Sequence, residues 1–134
     1  MTADDLLAGR RRLSGRVLVL GGGLTGCEAA DYLAASGCRV ELLEMGDRLA
    51  GGLNKSRRRF LLQRLAQSGV TVRLLTRAEA VEQDGVRVCS GDYRYTIAGI
   101  DGVVVATGRA PLDRLSQRVR ELSPKTRVLV IGDA

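Results

Sequence analysis

Apolar residues along this chain fall into short unbroken runs, helical stripes and one alternating stretch, with glycines at most of the junctions. Val17-Leu18-Val19-Leu20 is a continuous apolar run, the mark of a strand covered on both faces. From Leu24 to Ser36 small and apolar residues recur at helical spacing, with Cys27, Ala30 and Ala34 on one side and Gly37 as the stop. Arg39 to Leu43 reads as a second strand ending at Glu44, which completes a β-α-β unit of about 30 residues. Asn54 can cap a helix running to Ser68, with Leu61, Leu62, Leu65 and Ala66 as its buried stripe and Gly69 as its stop. Thr71 to Leu75 follows as a third strand.

The period then changes. Ala80, Val81, Val86, Val88, Tyr93, Tyr95 and Ile97 are interleaved with polar residues, and Asp84-Gly85 and Gly91-Asp92 are hairpin turn signals between the runs. This stretch predicts a three-stranded antiparallel meander. Val103-Val104-Val105 and Val128 to Ile131 are further buried strands, and Leu112 to Leu122 between them reads as a loop with a short helical turn. Together these patterns predict an α/β chain with a Rossmann-like fold: a central parallel sheet with helices, in which the β-meander serves as a crossover. Residues 16–131 form the folded unit, and no internal repeat or linker interrupts it.

Composition narrows the class. The length of 134 residues suits one domain, and 45% hydrophobic residues with one Phe, three Tyr and no Trp require an aliphatic core. Cys27, Cys38 and Cys89 form no C-x-x-C pair, and without histidine the side chains for a zinc or iron–sulfur site are lacking. That cysteine usage, with no apolar run near the ~18 residues of a membrane span, predicts a soluble cytoplasmic protein. The net charge of +6, with Arg10-Arg11-Arg12 and Arg57-Arg58-Arg59, raises the question of nucleic acid. Consecutive helical arginines fan out at about 100° steps, and few aromatics are available to stack on bases, so solvated arginines are the reading taken and no nucleic-acid partner is expected.

The chemistry concentrates in Gly21-Gly22-Gly23-Leu24-Thr25-Gly26, which fits G-x-G-x-x-G directly after a strand and at the start of a helix. Gly21 permits the tight turn, Gly23 lets the backbone approach a pyrophosphate, and Gly26 lets the helix pack close to the sheet. The helix start presents unpaired N–H groups and a partial positive charge to the phosphates. Eighteen residues after Gly26, Glu44 closes the second strand where a carboxylate can accept from adenosine ribose hydroxyls and repel a 2′-phosphate. NADH is therefore expected over NADPH, although Arg48 lies nearby. Glu28, two residues past the loop, is placed on the first helical turn; Cys27 beside it reads as a small apolar contact. Gly108 lets the chain pass near a ligand at a strand end, or serves as a turn glycine. No residue presents itself as a catalytic acid, base or nucleophile, and hydride transfer requires none.

V-L-V-L-G-G-G-L-T-G-C-E-A-A, L-L-E at 42–44, V-V-V-A-T-G-R-A-P at 103–111 and V-L-V-I-G-D-A at 128–134 together resemble the pyridine-nucleotide-dependent flavin oxidoreductases. Within these, the G-G-G-L-x-G-C-E segment, the L-L-E-M continuation and N-x-x-x-R-R-x-L-L-x-R-L from Asn54 look most like the C-terminal part of 2,4-dienoyl-CoA reductase and enoate reductase type NADH:flavin oxidoreductases. The resemblance implies a large parent with an FMN barrel, an iron–sulfur cluster and an FAD domain carrying this chain as its NAD(P)H-binding insert. Residues 1–15 would then be the link from the FAD domain and 132–134 the start of the return; the stop at Ala134, just after a buried strand, suggests that something follows. It also implies that Asp133 contacts FAD in the parent, that Ala106, Thr107 and Gly108 pass near the cofactors, that Glu28 lies near the nicotinamide, and that Met45 adjoins the dinucleotide. The fragment alone would neither turn over nor hold FAD. An FAD-binding domain of the same superfamily, hinted at by Gly51-Gly52, and a non-catalytic dinucleotide module are the alternatives.

Overall fold

In the computed structural model, which describes residues 12–107, 113–123, 125 and 127–130, the continuous apolar runs become the strands of one parallel sheet. The chain runs β1 (Arg16–Leu20), α1 (Leu24–Ala35), β2 (Arg39–Leu43), α2 (Lys55–Gln67) and β3 (Thr71–Arg73). A separate antiparallel sheet of β4 (Thr76–Glu82), β5 (Gly85–Ser90) and β6 (Tyr93–Ala98) follows. The chain then re-enters the first sheet through β7 (Gly102–Val105), α3 (Asp113–Leu122) and β8 (Arg127–Val130). The parallel sheet has the order β3-β2-β1-β7-β8. β1 is central, with Val17 in register with Val40 on one side and Gly102 on the other.

Strand alternation divides the core into two. Val17, Val19, Val40, Leu42 and Val104 face α1 and α2, where they meet Cys27, Ala30, Leu33 and Leu65. Leu18, Leu20, Leu43, Val103 and Val105 face the meander and α3, where they meet Val81, Val86, Val88, Ile97 and Val119. Each fully buried Val or Leu contributes about 1.5–3 kcal/mol, so aliphatic residues hold the three layers together without a buried aromatic among the described residues.

The meander forms as the alternation predicts, but several local expectations need correction. Leu112 to Leu122 is not a loop with one turn: Asp113–Leu122 is a ten-residue helix. Leu115, Val119 and Leu122 recur at helical spacing, and Val119 is fully buried against the second core. The third strand stops at Arg73 instead of Leu75, because the chain bends there toward the loop after β2: Leu75 N–H donates to the Gly46 carbonyl and Thr76 N–H to that of Glu44. In α2, Ala66 is exposed, because Leu61, Leu62 and Leu65 already fill the narrow face that meets α1 and the sheet. The first hairpin turns at 83–84, and Gly85 opens β5 instead, where a side chain would overlap the Ile97 carbonyl.

One charged residue sits inside strand β2. The Glu41 side chain is nearly buried, and it accepts from Arg16 Nε and Arg73 Nε, each at 2.8 Å. Arg16 also donates to the Ala98 carbonyl at 2.7 Å, tying three parallel strands to the end of the meander. Burial pushes the Glu41 carboxyl up, but hydrogen bonds and charge from Arg16 and Arg73 outweigh it and hold the pKa below the ordinary glutamate value. A lowered folded-state pKa means that this stabilisation is complete above about pH 4.5 and is lost as pH falls through the folded value. Glu41→Gln is therefore expected to cost about 2 kcal/mol at pH 7, less than a fully buried pair because both guanidiniums touch water. The cost should shrink as acid protonates the native carboxylate; thermal melts of both proteins at pH 7 and pH 3.5 check it.

Candidate functional site

β1 ends in a turn that only glycine makes easily. Gly21 has φ +107°, and a side chain there would strike the Ala106 carbonyl. Gly23 is the N-cap of α1 in an extended conformation, φ −65° and ψ −179°. Gly26 lies in the first turn, where an added Cβ would overlap the Gly21 carbonyl oxygen and stand 3.3 Å from the Ala106 Cβ. Two of the three pattern glycines are thus required by the protein's own packing. Gly23 is not: a Cβ there would meet nothing within 4 Å.

The start of α1 is left open to an anion. Gly23 supplies no side-chain cap and no acidic residue lies in the first turn, so no side chain of the helix itself occupies its first N–H groups. Glu28 does not occupy the first turn as its spacing from Gly26 suggested. The helix already begins at Leu24, which makes Glu28 its fifth residue, exposed in a groove between α1 and α2 that Arg57 also lines. Cys27 is buried and donates to the Gly22 carbonyl at 3.4 Å. Its thiol is pushed up to about 11 by burial and then by the charges of Glu44 and Glu28, so the helix start does not make it a thiolate at neutral pH.

Glu44 follows β2 with both carboxylate oxygens held by backbone. Oε2 accepts from Gly22 N–H at 2.6 Å and Oε1 from Gly46 N–H at 2.6 Å. The main chain of Glu44 is also fixed, donating to the Arg73 carbonyl and accepting from Thr76, each at 2.9 Å. A carboxylate has about four acceptor positions, so two remain for a ligand's hydroxyls. Met45 beside it is 72% exposed. Arg48 is turned to its neighbour Asp47 at 3.3 Å. The loop continues into Leu49 and Ala50, both buried, and Ala50 N–H donates to the Gly22 carbonyl at 2.7 Å. Sequence reasoning missed this latch; the single apolar pair in a polar loop was its only signal.

The third strand end completes the arrangement. Ala106 N–H donates to the Leu20 carbonyl at 2.7 Å, which places Ala106 and exposed Thr107 beside the glycine turn. Gly108 and Asp133 lie outside the described residues. Gly21–Gly26, Glu44–Met45 and Ala106–Thr107 therefore gather at the carboxyl ends of β2, β1 and β7, around the central strand where the chain changes direction across the sheet. Open α/β sheets bind ligands at such a point. Among the described residues no cluster of histidine, cysteine or carboxylate side chains is arranged to hold a metal ion, and no helix is long and apolar enough to cross a membrane.

The family profile described as pyridine nucleotide-disulphide oxidoreductase matches residues 1–130. The chain is 31% identical over 134 residues to an NADH oxidase of Thermoanaerobacter brockii, covering 98% of this chain and 20% of that protein. It is 29% identical to a cinnamate reductase of Clostridium sporogenes, with 99% of this chain and 20% of that protein covered. Among solved structures, a 2-naphthoyl-CoA reductase in complex with 2-naphthoyl-CoA superposes with a TM-score of 0.74 at 27% identity, covering 99% of this chain and 20% of that one. The chain thus spans a fifth of the length of each of these three proteins.

Proposed function

Because the chain belongs to the pyridine nucleotide-disulphide oxidoreductase family, the domain of flavin-dependent oxidoreductases, we propose that it binds NADH and positions the nicotinamide for hydride transfer to FAD in a larger parent enzyme. The observation that carries this reading is Glu44, a carboxylate fixed beside an uncapped helix start at the end of the neighbouring strand. The N–H groups of Gly23, Leu24 and Thr25 would receive the pyrophosphate, and the two free acceptor positions of Glu44 would receive the adenosine ribose hydroxyls. Open space at Gly23 admits the phosphates to the backbone. Met45 would border the adenosine, while Ala106 and Thr107 border the other half.

When bound, NADH supplies the hydride, so this chain's residues need only bind, orient and exclude competitors. Glu44 does the last of these, since its charge opposes the 2′-phosphate of NADPH. Near-complete coverage of this chain in the NADH oxidase, cinnamate reductase and 2-naphthoyl-CoA reductase matches supports a parent of the 2,4-dienoyl-CoA and enoate reductase kind. In that reading FAD, FMN and an iron–sulfur cluster belong to the parent, and the 134-residue chain binds without turnover.

Calorimetric titration of the chain with NADH, NADPH and FAD tests the proposal. Saturable binding of NADH, at least about tenfold tighter than NADPH, is expected. A clear preference for NADPH or for FAD would overturn it.

A further inference from the structure

Gly22 occupies a position for which the glycine pattern specifies no residue, yet it is hemmed in closely by the acid that reads the ribose. Its N–H is spent on Glu44 Oε2 at 2.6 Å, and its carbonyl accepts from Ala50 N–H at 2.7 Å and Cys27 Sγ at 3.4 Å. Its one donor is therefore not free for a phosphate. A Cβ at position 22 would stand 2.8 Å from the Glu44 Cβ and 3.0 Å from Oε2, and would overlap a methyl of buried Leu49. At the other oxygen, a Cβ on Gly46 would stand 3.1 Å from Oε1.

A glutamate on a free side chain could rotate away from a 2′-phosphate of about −2 charge and evade most of the repulsion. Here rotation would break two charge-assisted hydrogen bonds. We propose that Gly22 is a specificity-determining residue: by lacking a side chain and lending its N–H, it locks the Glu44 carboxylate in place, and this lock gives the carboxylate its power to reject a 2′-phosphorylated dinucleotide. The inference rests on the NADH reading above. It makes a distinct demand, that discrimination depend on a residue that carries no charge and donates nothing to the ligand.

Alanine at position 22 would expel the carboxylate from its seat. NADH would lose a placed acceptor, and NADPH would lose a fixed repulsive charge. The test measures dissociation constants for NADH and NADPH on the 134-residue chain, alone and as Gly22→Ala, Gly22→Ala with Leu49→Ala, and Gly46→Ala, with a thermal melt for each. The double variant removes the apolar overlap and leaves only the conflict with Glu44. Gly46→Ala, outside the glycine loop, crowds the other oxygen and keeps the question open to answer if neither position-22 variant folds. The ratio of the NADPH to the NADH constant is expected to fall about tenfold in the position-22 variants, and by a smaller factor in the same direction in Gly46→Ala. An unchanged ratio in the variants that fold overturns the inference. Failure of the unsubstituted chain to prefer NADH overturns the functional reading instead.

Discussion

Gly23→Ala is expected to leave the melting temperature within about 3 °C of the unsubstituted chain while weakening NADH binding by about tenfold or more. The two halves of this result have separate causes. Position 23 is exposed, its φ of −65° and ψ of −179° suit any residue, and an added Cβ meets no atom within 4 Å. The fold makes no use of the missing side chain. Replacing glycine where the backbone permits it even stabilises slightly, by about 0.4–1 kcal/mol, through the unfolded state. A dinucleotide bound as proposed would use the opening, because the methyl would stand in the space by which a pyrophosphate reaches the first N–H groups of α1. Calorimetry with NADH and scanning calorimetry of the free variant measure the two halves together. Undiminished affinity would mean that phosphate does not approach at Gly23.

Gly26→Ala is expected to do the reverse, costing about 3 kcal/mol or more of stability, seen as a fall of about 10 °C in melting temperature. Here the methyl would overlap the carbonyl oxygen of Gly21, a main-chain atom held by the turn, with the Ala106 Cβ at 3.3 Å behind it. Neither neighbour is the tip of a flexible side chain. Relief requires α1 to lift from β1, which opens the core around Cys27 and Ala30. Thermal melts of the two proteins compare them directly. A fall under about 3 °C would show that α1 has slack that the packing does not reveal. The two alanines would thus separate a glycine with open space beside it from one packed against the main chain.

Much of this was legible in the sequence because it depends on short-range pattern. The strand Val17 to Leu20, the glycine turn and Asn54, whose side chain does accept from Arg57 N–H at 3.0 Å, are set by neighbouring residues. The antiparallel meander was legible for the same reason, from its change to a period of two. What escaped was set by contacts distant in the chain. Glu41 reads as a polar residue in an apolar strand, and its burial makes sense only once Arg16 and Arg73 converge on it from both neighbouring strands. Helix α3 was hidden by its dense charge, since the buried position of Val119 depends on the meander beneath it. Leu75 and Ala50 have φ of +51° and +49°, conformations that no local signal announces for such residues. Both lie where the loop after β2 is fastened, Leu75 to Gly46 and Ala50 to Gly22.

In the candidate site the residue types were legible and their division of labour was not. The pattern treats Gly22 as a spacer and places Glu28 in the first turn; in the structure Gly22 holds Glu44, and Glu28 stands one turn farther along. The arginine-rich surface is likewise partly committed, with Arg64 on Asp31, Arg87 on Glu82, and Arg77 and Arg94 on Glu79. The pairings of Arg64 and Arg94 join residues distant in the chain, which composition does not convey.

In the complex proposed above, NADH lies across the glycine turn with its phosphates on the start of α1 and its ribose on Glu44. An amide-resolved magnetic resonance titration of the 134-residue chain with NADH tests it most directly. The amides of Gly23, Leu24, Thr25, Met45 and Thr107 are expected to shift together on one saturable curve, while those of the outer meander strand Tyr93–Ala98 stay in place. Saturable binding that leaves the Gly23 to Thr25 amides unmoved and shifts another surface would contradict it.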